Sequence, residues 1–168
     1  MADALAILAN AAAKLTREGL RVSGRGATAL PGLVALTVDP DFIGALSSSL
    51  PHGVICVSGT NGKTTTARML ADMTRTAGWD PIHNRSGSNL DRGVASALVA
   101  ETNWSAEPSG DLGLFEIDEA SLPGAVGKLK PRVVVITNLF RDQMDRYFEL
   151  DILAKRIGDA LASLDPNT

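Results

Sequence analysis

Cysteine is nearly absent. Cys56 stands alone in 168 residues, so no disulfide and no zinc-holding cluster of cysteines can form within this chain. That usage fits a reducing, cytoplasmic setting. Long apolar runs are missing too, and nothing approaches the ~20 residues that a membrane-spanning helix needs. The N-terminal stretch is alanine-rich, yet it lacks a basic start and is interrupted by Asp3, Lys14, Arg17 and Glu18, so no signal peptide is expected. A net charge of -3 supplies no positive field to draw nucleic acid. Trp79 and Trp104 read as packing or loop anchors rather than platforms for stacked bases. There are two histidines. His52 falls in a turn, His83 lies beside Pro81, and neither has a neighbour in sequence that suggests a catalytic dyad. Repeats and low-complexity tracts are also absent.

What is present is 45% apolar and 21% charged, and long enough for one domain with a real core. Leu5, Leu8, Ala12 and Leu15 recur at helical spacing and predict an amphipathic helix over residues 3–19, ended by Gly19 and the loop Ser23-Gly24-Arg25-Gly26. Residues 33–38 read as a short strand. Asp39-Pro40-Asp41 opens a helix to about residue 49, with Pro40 suited to its first turn. After a turn at 51–53, strands over 54–57, 81–84, 112–117 and 132–137 alternate with helices over 63–77, 90–101, 122–129 and 151–164. A polar loop covers residues 102–110. Such alternation predicts an α/β fold, a doubly wound parallel sheet with helices on both faces. The strands at 54–57, 112–117 and 133–137, apolar on both faces, are expected to be interior. Residues 1–50 form a helical and strand lead-in, and residues 51–168 the sheet domain.

The first of these strands runs into Ser58-Gly59-Thr60-Asn61-Gly62-Lys63-Thr64-Thr65-Thr66 and then into a helix. Glycines let the backbone curl, so that its amides and the helix N-terminus point at an anion. Lys63 supplies a point charge for β and γ phosphates, and the Thr64 hydroxyl suits Mg²⁺. The loop departs from the pattern G-x-x-x-x-G-K-[ST], whose first glycine would fall on Val57. A glycine-rich turn that merely starts a helix is the plain alternative. Strand, loop, Lys-Thr and helix nonetheless follow in the order that phosphate binding needs, and ATP with Mg²⁺ is the expected ligand.

Three further loops lie at the edge where parallel sheets bind ligands. The segment Asn84-Arg85-Ser86-Gly87-Ser88-Asn89-Leu90-Asp91-Arg92-Gly93 combines donors, acceptors and guanidinium groups, and Arg85 can grip a phosphate or carboxylate with two bonds. A turn capped by Asn89 or Asp91 explains the same residues without a ligand. Phe115-Glu116-Ile117-Asp118-Glu119-Ala120 puts acids at a strand end, where a carboxylate can reach Mg²⁺ directly or through water. Asp118 and Glu119 can instead favour the following helix start. Thr137-Asn138-Leu139-Phe140-Arg141-Asp142-Gln143-Met144-Asp145-Arg146-Tyr147 follows the most apolar strand.

The loop at residues 59–65 is similar to that of Mur ligases and folylpolyglutamate synthases. The strings NRSGSNL-x-RG, FEIDEA and TNLFRDQMDRY, with Thr28-Ala29-Leu30-Pro31-Gly32 and Asp39-Pro40-Asp41-Phe42 upstream, resemble the MurT family, the Mur-ligase-like subunits of lipid II isoglutaminyl synthase. Phe148 stands where a glycine is usual in that family, and Gln143 where other Mur ligases carry a histidine near a metal.

The resemblance implies an ATP-dependent carbon–nitrogen ligase part acting in peptidoglycan synthesis. ATP would convert the D-glutamate α-carboxylate of lipid II into an acyl phosphate, and ammonia from a GatD-type glutaminase partner would displace phosphate. It implies Lys63 and Glu116 as catalytic residues, Thr64 and Glu116 as Mg²⁺ ligands, and Gly59, Thr60, Asn61, Gly62, Lys63, Thr64, Thr65 and Asn138 around ATP. Asn84, Arg85, Ser86, Ser88, Asn89, Arg92, Asp142, Asp145 and Arg146 would serve substrate or phosphate. Lys155, near the place of a carbamylated lysine in many Mur ligases, reads as a surface lysine. The match corresponds to the N-terminal portion of such subunits. The rest of the ATPase domain, a four-cysteine zinc insertion and a C-terminal domain would follow, and the chain alone is expected to be inactive. A truncated, non-catalytic nucleotide-binding module is the rival reading, and another ligase of the Mur or folylpolyglutamate type a third.

Overall fold

The computed structural model describes residues 3–22, 29–84, 90–140 and 147–164. Three helices lead in: α1 (Ala4–Val22), α2 (Leu30–Val38) and α3 (Phe42–Ser47). There follow β1 (Val54–Ser58), α4 (Lys63–Thr76), β2 (Pro81–His83), α5 (Asp91–Ala100), β3 (Leu112–Glu116), α6 (Leu122–Leu129), β4 (Val133–Ile136) and α7 (Tyr147–Ala162). Among the described residues four strands form one parallel sheet in the order β2-β3-β1-β4.

Pairing and side-chain alternation divide the core in two. Ile55 pairs with Leu114 and Val57 with Val135. These residues point to one face, where Ala67, Leu70 and Ala71 of α4 cover them. Val54, Cys56, Val134 and Phe115 point to the other, into a larger core with α3, α5 and α6. A sheet covered on both faces is what apolar strands require. Burial pushes the Cys56 thiol up to about 12, so this cysteine is an inert core residue.

Three expectations from the sequence are corrected. Residues 33–38 belong to α2, not to a strand. Pro31 sits in the first turn of α2, and Pro31, Gly32 and Ala35 face the interior. A Cβ on Gly32 would stand 2.0 Å from the Arg92 carbonyl oxygen, so the missing side chain lets α2 lie directly on α5. The Gly32 amide donates to the Ser96 hydroxyl at 2.8 Å in the same contact. The second correction concerns β4, which pairs only with β1 and is an edge strand among the described elements, with Val133 48% exposed. The interior strands are β1 and β3.

The third concerns α1, which runs on through Gly19 to Val22, with Ala6, Ala9 and Ala13 buried on its inward face. Lys14 Nζ donates to the carbonyls of Val99 (2.9 Å) and Thr102 (2.6 Å), which lie at and just beyond the last turn of α5. A cation there satisfies orphan carbonyls and complements the helix dipole. His52 stacks on Trp79 with ring centroids 4.0 Å apart, which makes Trp79 the loop anchor that the sequence suggested.

Candidate nucleotide site

The loop after β1 is shaped by two glycines. Gly59 has φ +129° and a Cβ there would meet Thr137 Oγ1 at 2.3 Å and the Asn138 carbonyl oxygen at 2.7 Å. Gly62, at φ +88°, precedes α4 in left-handed conformation with open space around it. The segment after β4 braces this curl. Asn138 accepts from the Asn61 amide through Oδ1 and donates to the Asn61 carbonyl through Nδ2, both at 3.0 Å. Its backbone carbonyl accepts the Thr60 amide at 3.0 Å, and Thr137 Oγ1 donates to the Asn61 carbonyl at 2.7 Å. Asn138, expected beside ATP, thus engages both ends of its amide in holding the loop.

Lys63 opens α4 and folds back over the loop. Its Nζ donates to the Gly59 carbonyl and lies 3.3 Å from Glu119 and 3.9 Å from Asp118. The ammonium is largely buried, and carboxylates take up the charge where a phosphate would bind. Burial pushes the Glu119 carboxyl up. Hydrogen bonds from its own backbone amide and the Thr60 hydroxyl, with the charge and hydrogen bond of Lys63, outweigh that and hold it below the usual carboxylate range.

Beside Lys63, Thr64 Oγ1 donates to Glu116 Oε2 at 2.8 Å. Glu116 ends β3 and is only 2% exposed. Its second oxygen, Oε1, lies 3.2 Å from His83 Nε2. Asn84 grips the Glu116 peptide, donating to its carbonyl and accepting from its amide, both at 2.8 Å. Asn84, expected to face substrate or phosphate, is buried against this strand end. The sequence suggests no dyad for His83; the fold gives it a partner in Glu116. Oxygen donors such as the Thr64 hydroxyl and the Glu116 carboxylate suit Mg²⁺. Among the described residues no group of three or more His, Cys, Asp or Glu can hold a metal. A cation here would draw its remaining ligands from phosphate and water, as Mg²⁺ usually does.

Between α4 and the strand ends lies a cavity of about 280 Å³, lined by Thr64, Arg68, Asp72, Arg75, His83 and Glu116. Thr65 is exposed in the first turn of α4. Arg92 lies in the first turn of α5 and lines a separate shallow hollow with Ser121 and Gly124. Lys155 is exposed on α7, in keeping with a surface lysine. Arg85, Ser86, Ser88, Asn89, Asp142, Gln143, Asp145 and Arg146 lie outside the described residues.

A central parallel strand that passes through a glycine loop and a Lys-Thr pair into a helix defines a phosphate-loop α/β domain. The chain belongs to the Mur ligase family: the family described as the Mur ligase middle domain matches residues 57–157. It is 36% identical over 151 residues to the lipid II isoglutaminyl synthase (glutamine-hydrolyzing) subunit MurT of Staphylococcus aureus strain COL, covering 90% of this chain and 33% of that protein. The MurT subunit of Streptococcus pneumoniae is 37% identical over 145 residues, 86% of this chain and 31% of that protein. A UDP-N-acetylmuramate–L-alanine ligase of a Nocardioides species is 30% identical over 151 residues, 90% of this chain and 28% of that protein. The chain spans about a third of the length of these MurT subunits. No described helix is long and apolar enough to cross a membrane.

Proposed function

We propose that this chain is the ATP-binding part of a cytoplasmic lipid II isoglutaminyl synthase, with residues 51–168 as the partial central domain and residues 1–50 as its lead-in. The observation that carries the reading is the MurT similarity across 90% of the chain. The phosphate-loop geometry supports its nucleotide half.

In this reading the ATP phosphates lie along the loop amides of residues 59–65, and Lys63 leaves its acidic neighbours to meet them. Thr64 and Glu116 would hold Mg²⁺, which when bound neutralises charge on the transferring phosphoryl group. The acceptor carboxylate approaches from the cavity beyond Glu116, where Arg68 offers positive charge to an anion, while Arg75 is paired with Asp72 on the same wall. A carboxylate oxygen attacks the γ-phosphorus, the bond to the β–γ bridging oxygen breaks, and ADP leaves with that electron pair. Ammonia released from glutamine by a GatD-type partner then attacks the acyl carbon and phosphate departs.

Positioning dominates such transfers. The isolated chain, incubated with lipid II, ATP, Mg²⁺, glutamine and GatD, is expected to give no D-isoglutamine by mass spectrometry. A chimera in which this stretch replaces the matching residues of a MurT subunit should restore conversion, and the same chimera with Lys63→Ala should not. A folded, nucleotide-binding chimera that does not amidate would reject the reading, leaving a nucleotide-binding module.

A further inference from the structure

Strand register determines which groups meet at the sheet edge. His83 pairs with Leu114, and Leu114 faces α4 in the small core with Ala67 and Ala71. Glu116 follows two residues later, so alternation turns it toward α4 as well. His83, Glu116 and Thr64 therefore meet on one side, and all three line the cavity beside α4.

Consecutive residues of β2 and its exit then hold one residue of β3. Asn84 secures the Glu116 backbone with two bonds of 2.8 Å. His83 takes the carboxylate from the other end, Nε2 to Oε1 at 3.2 Å, with 4% and 3% of the two side chains exposed. An ionised carboxylate accepts and cannot donate, so this bond requires the proton on Nε2. The opposite oxygen, Oε2, is the one directed to Thr64.

We propose that His83 is a positioning residue for the magnesium site: its hydrogen bond to Oε1 fixes the carboxylate plane of Glu116 and reserves Oε2, beside Thr64, for the cation. The inference rests on the reading of Glu116 as the metal carboxylate. Groups behind a metal ligand typically contribute 10–100-fold to metal affinity by holding that ligand in place. Without His83 the carboxylate can rotate, and a buried oxygen loses its partner.

The test is calorimetric titration of the chain with ADP, with and without Mg²⁺, the readout being the ratio of the two affinities. His83→Leu fills the space and cannot donate; His83→Gln presents an amide N–H. The Leu variant should lose about 10–100-fold of the magnesium enhancement, with magnesium-free affinity unchanged, and the Gln variant should recover most of it. An unchanged ratio in His83→Leu overturns the proposal, as does a parallel fall in affinity with and without Mg²⁺, or a Gln variant no better than Leu. Glu116→Ala separates the two levels of the argument. If it abolishes the enhancement while His83→Leu does not, the positioning role falls and the metal carboxylate stands. If Glu116→Ala itself leaves the enhancement intact, the underlying reading falls.

Discussion

Glu119→Gln should tighten nucleotide binding, although it removes a charged residue from the candidate site. In the structure Glu119 stands 3.3 Å from Lys63, and the two side chains are 19% and 13% exposed. An incoming phosphate must take Lys63 from this carboxylate and approach its negative charge as well. At 3.3 Å a pair of unit charges interacts by about 1.3 kcal/mol in a medium as polar as water, and more in a less polar one. Releasing about 1 kcal/mol of that competition corresponds to a gain of ~5-fold in affinity. Asp118 is farther from Lys63, at 3.9 Å, and 45% exposed, so Asp118→Asn should change affinity less. The pH dependence has a definite sign. Because the Glu119 carboxyl is held below its ordinary value, its contribution to stability is complete above the ordinary carboxylate range and is lost as pH falls through the lowered value. Glu119→Gln should therefore lower stability at neutral pH, and that loss should shrink on acidification. Calorimetry with ADP and urea melts at several pH values measure both effects. Unchanged or weaker nucleotide binding in Glu119→Gln would refute the idea that this carboxylate competes for Lys63.

Gly59→Ala should weaken nucleotide binding about 5–150-fold while circular dichroism stays native, since the new Cβ would meet Thr137 Oγ1 at 2.3 Å and the backbone sits at φ +129°; this corresponds to a strain of about 1–3 kcal/mol, and a variant that binds normally would show the loop tolerates it. For Gly32→Ala, an unfolding free energy lowered by roughly 1–3 kcal/mol in urea melts is expected because the Cβ would collide with the Arg92 carbonyl at 2.0 Å, and an unaltered stability would refute the close α2–α5 contact. Lys14→Met, which leaves the Val99 and Thr102 carbonyls without their ammonium donor, should cost about 1–3 kcal/mol in the same assay.

The site was legible where its parts are contiguous. Residues 59–65 announce a phosphate loop because curl, lysine and hydroxyl must follow one another along the chain. Glu116 was legible as an acid at a strand end. What escaped depends on neighbours distant in sequence. His83 gains its partner only because β2 lies beside β3 in a particular register. Residues 33–38 are apolar apart from Thr37, and so short an apolar run fits a helix or a strand alike by periodicity. The helix packs on α5 through Gly32, a contact between residues distant in sequence. The valines of β4 signal a strand correctly, but hydrophobicity does not reveal how many neighbours a strand has, and β4 has one among the described elements. The resemblance implies Asn138 beside ATP and Asn84 toward substrate or phosphate; what the sequence does not reveal is that both brace the backbone that carries the site.

The central claim is that residues 59–65 bind the phosphates of a magnesium nucleotide, and one titration tests it most directly. The chain and its Lys63→Ala variant are titrated with ATP and Mg²⁺ in a calorimeter, with circular dichroism to verify that both are folded. The account predicts measurable binding by the unmodified chain and at least about a tenfold loss in the variant, equivalent to ~1.4 kcal/mol. Equal affinity in the two folded proteins would contradict it.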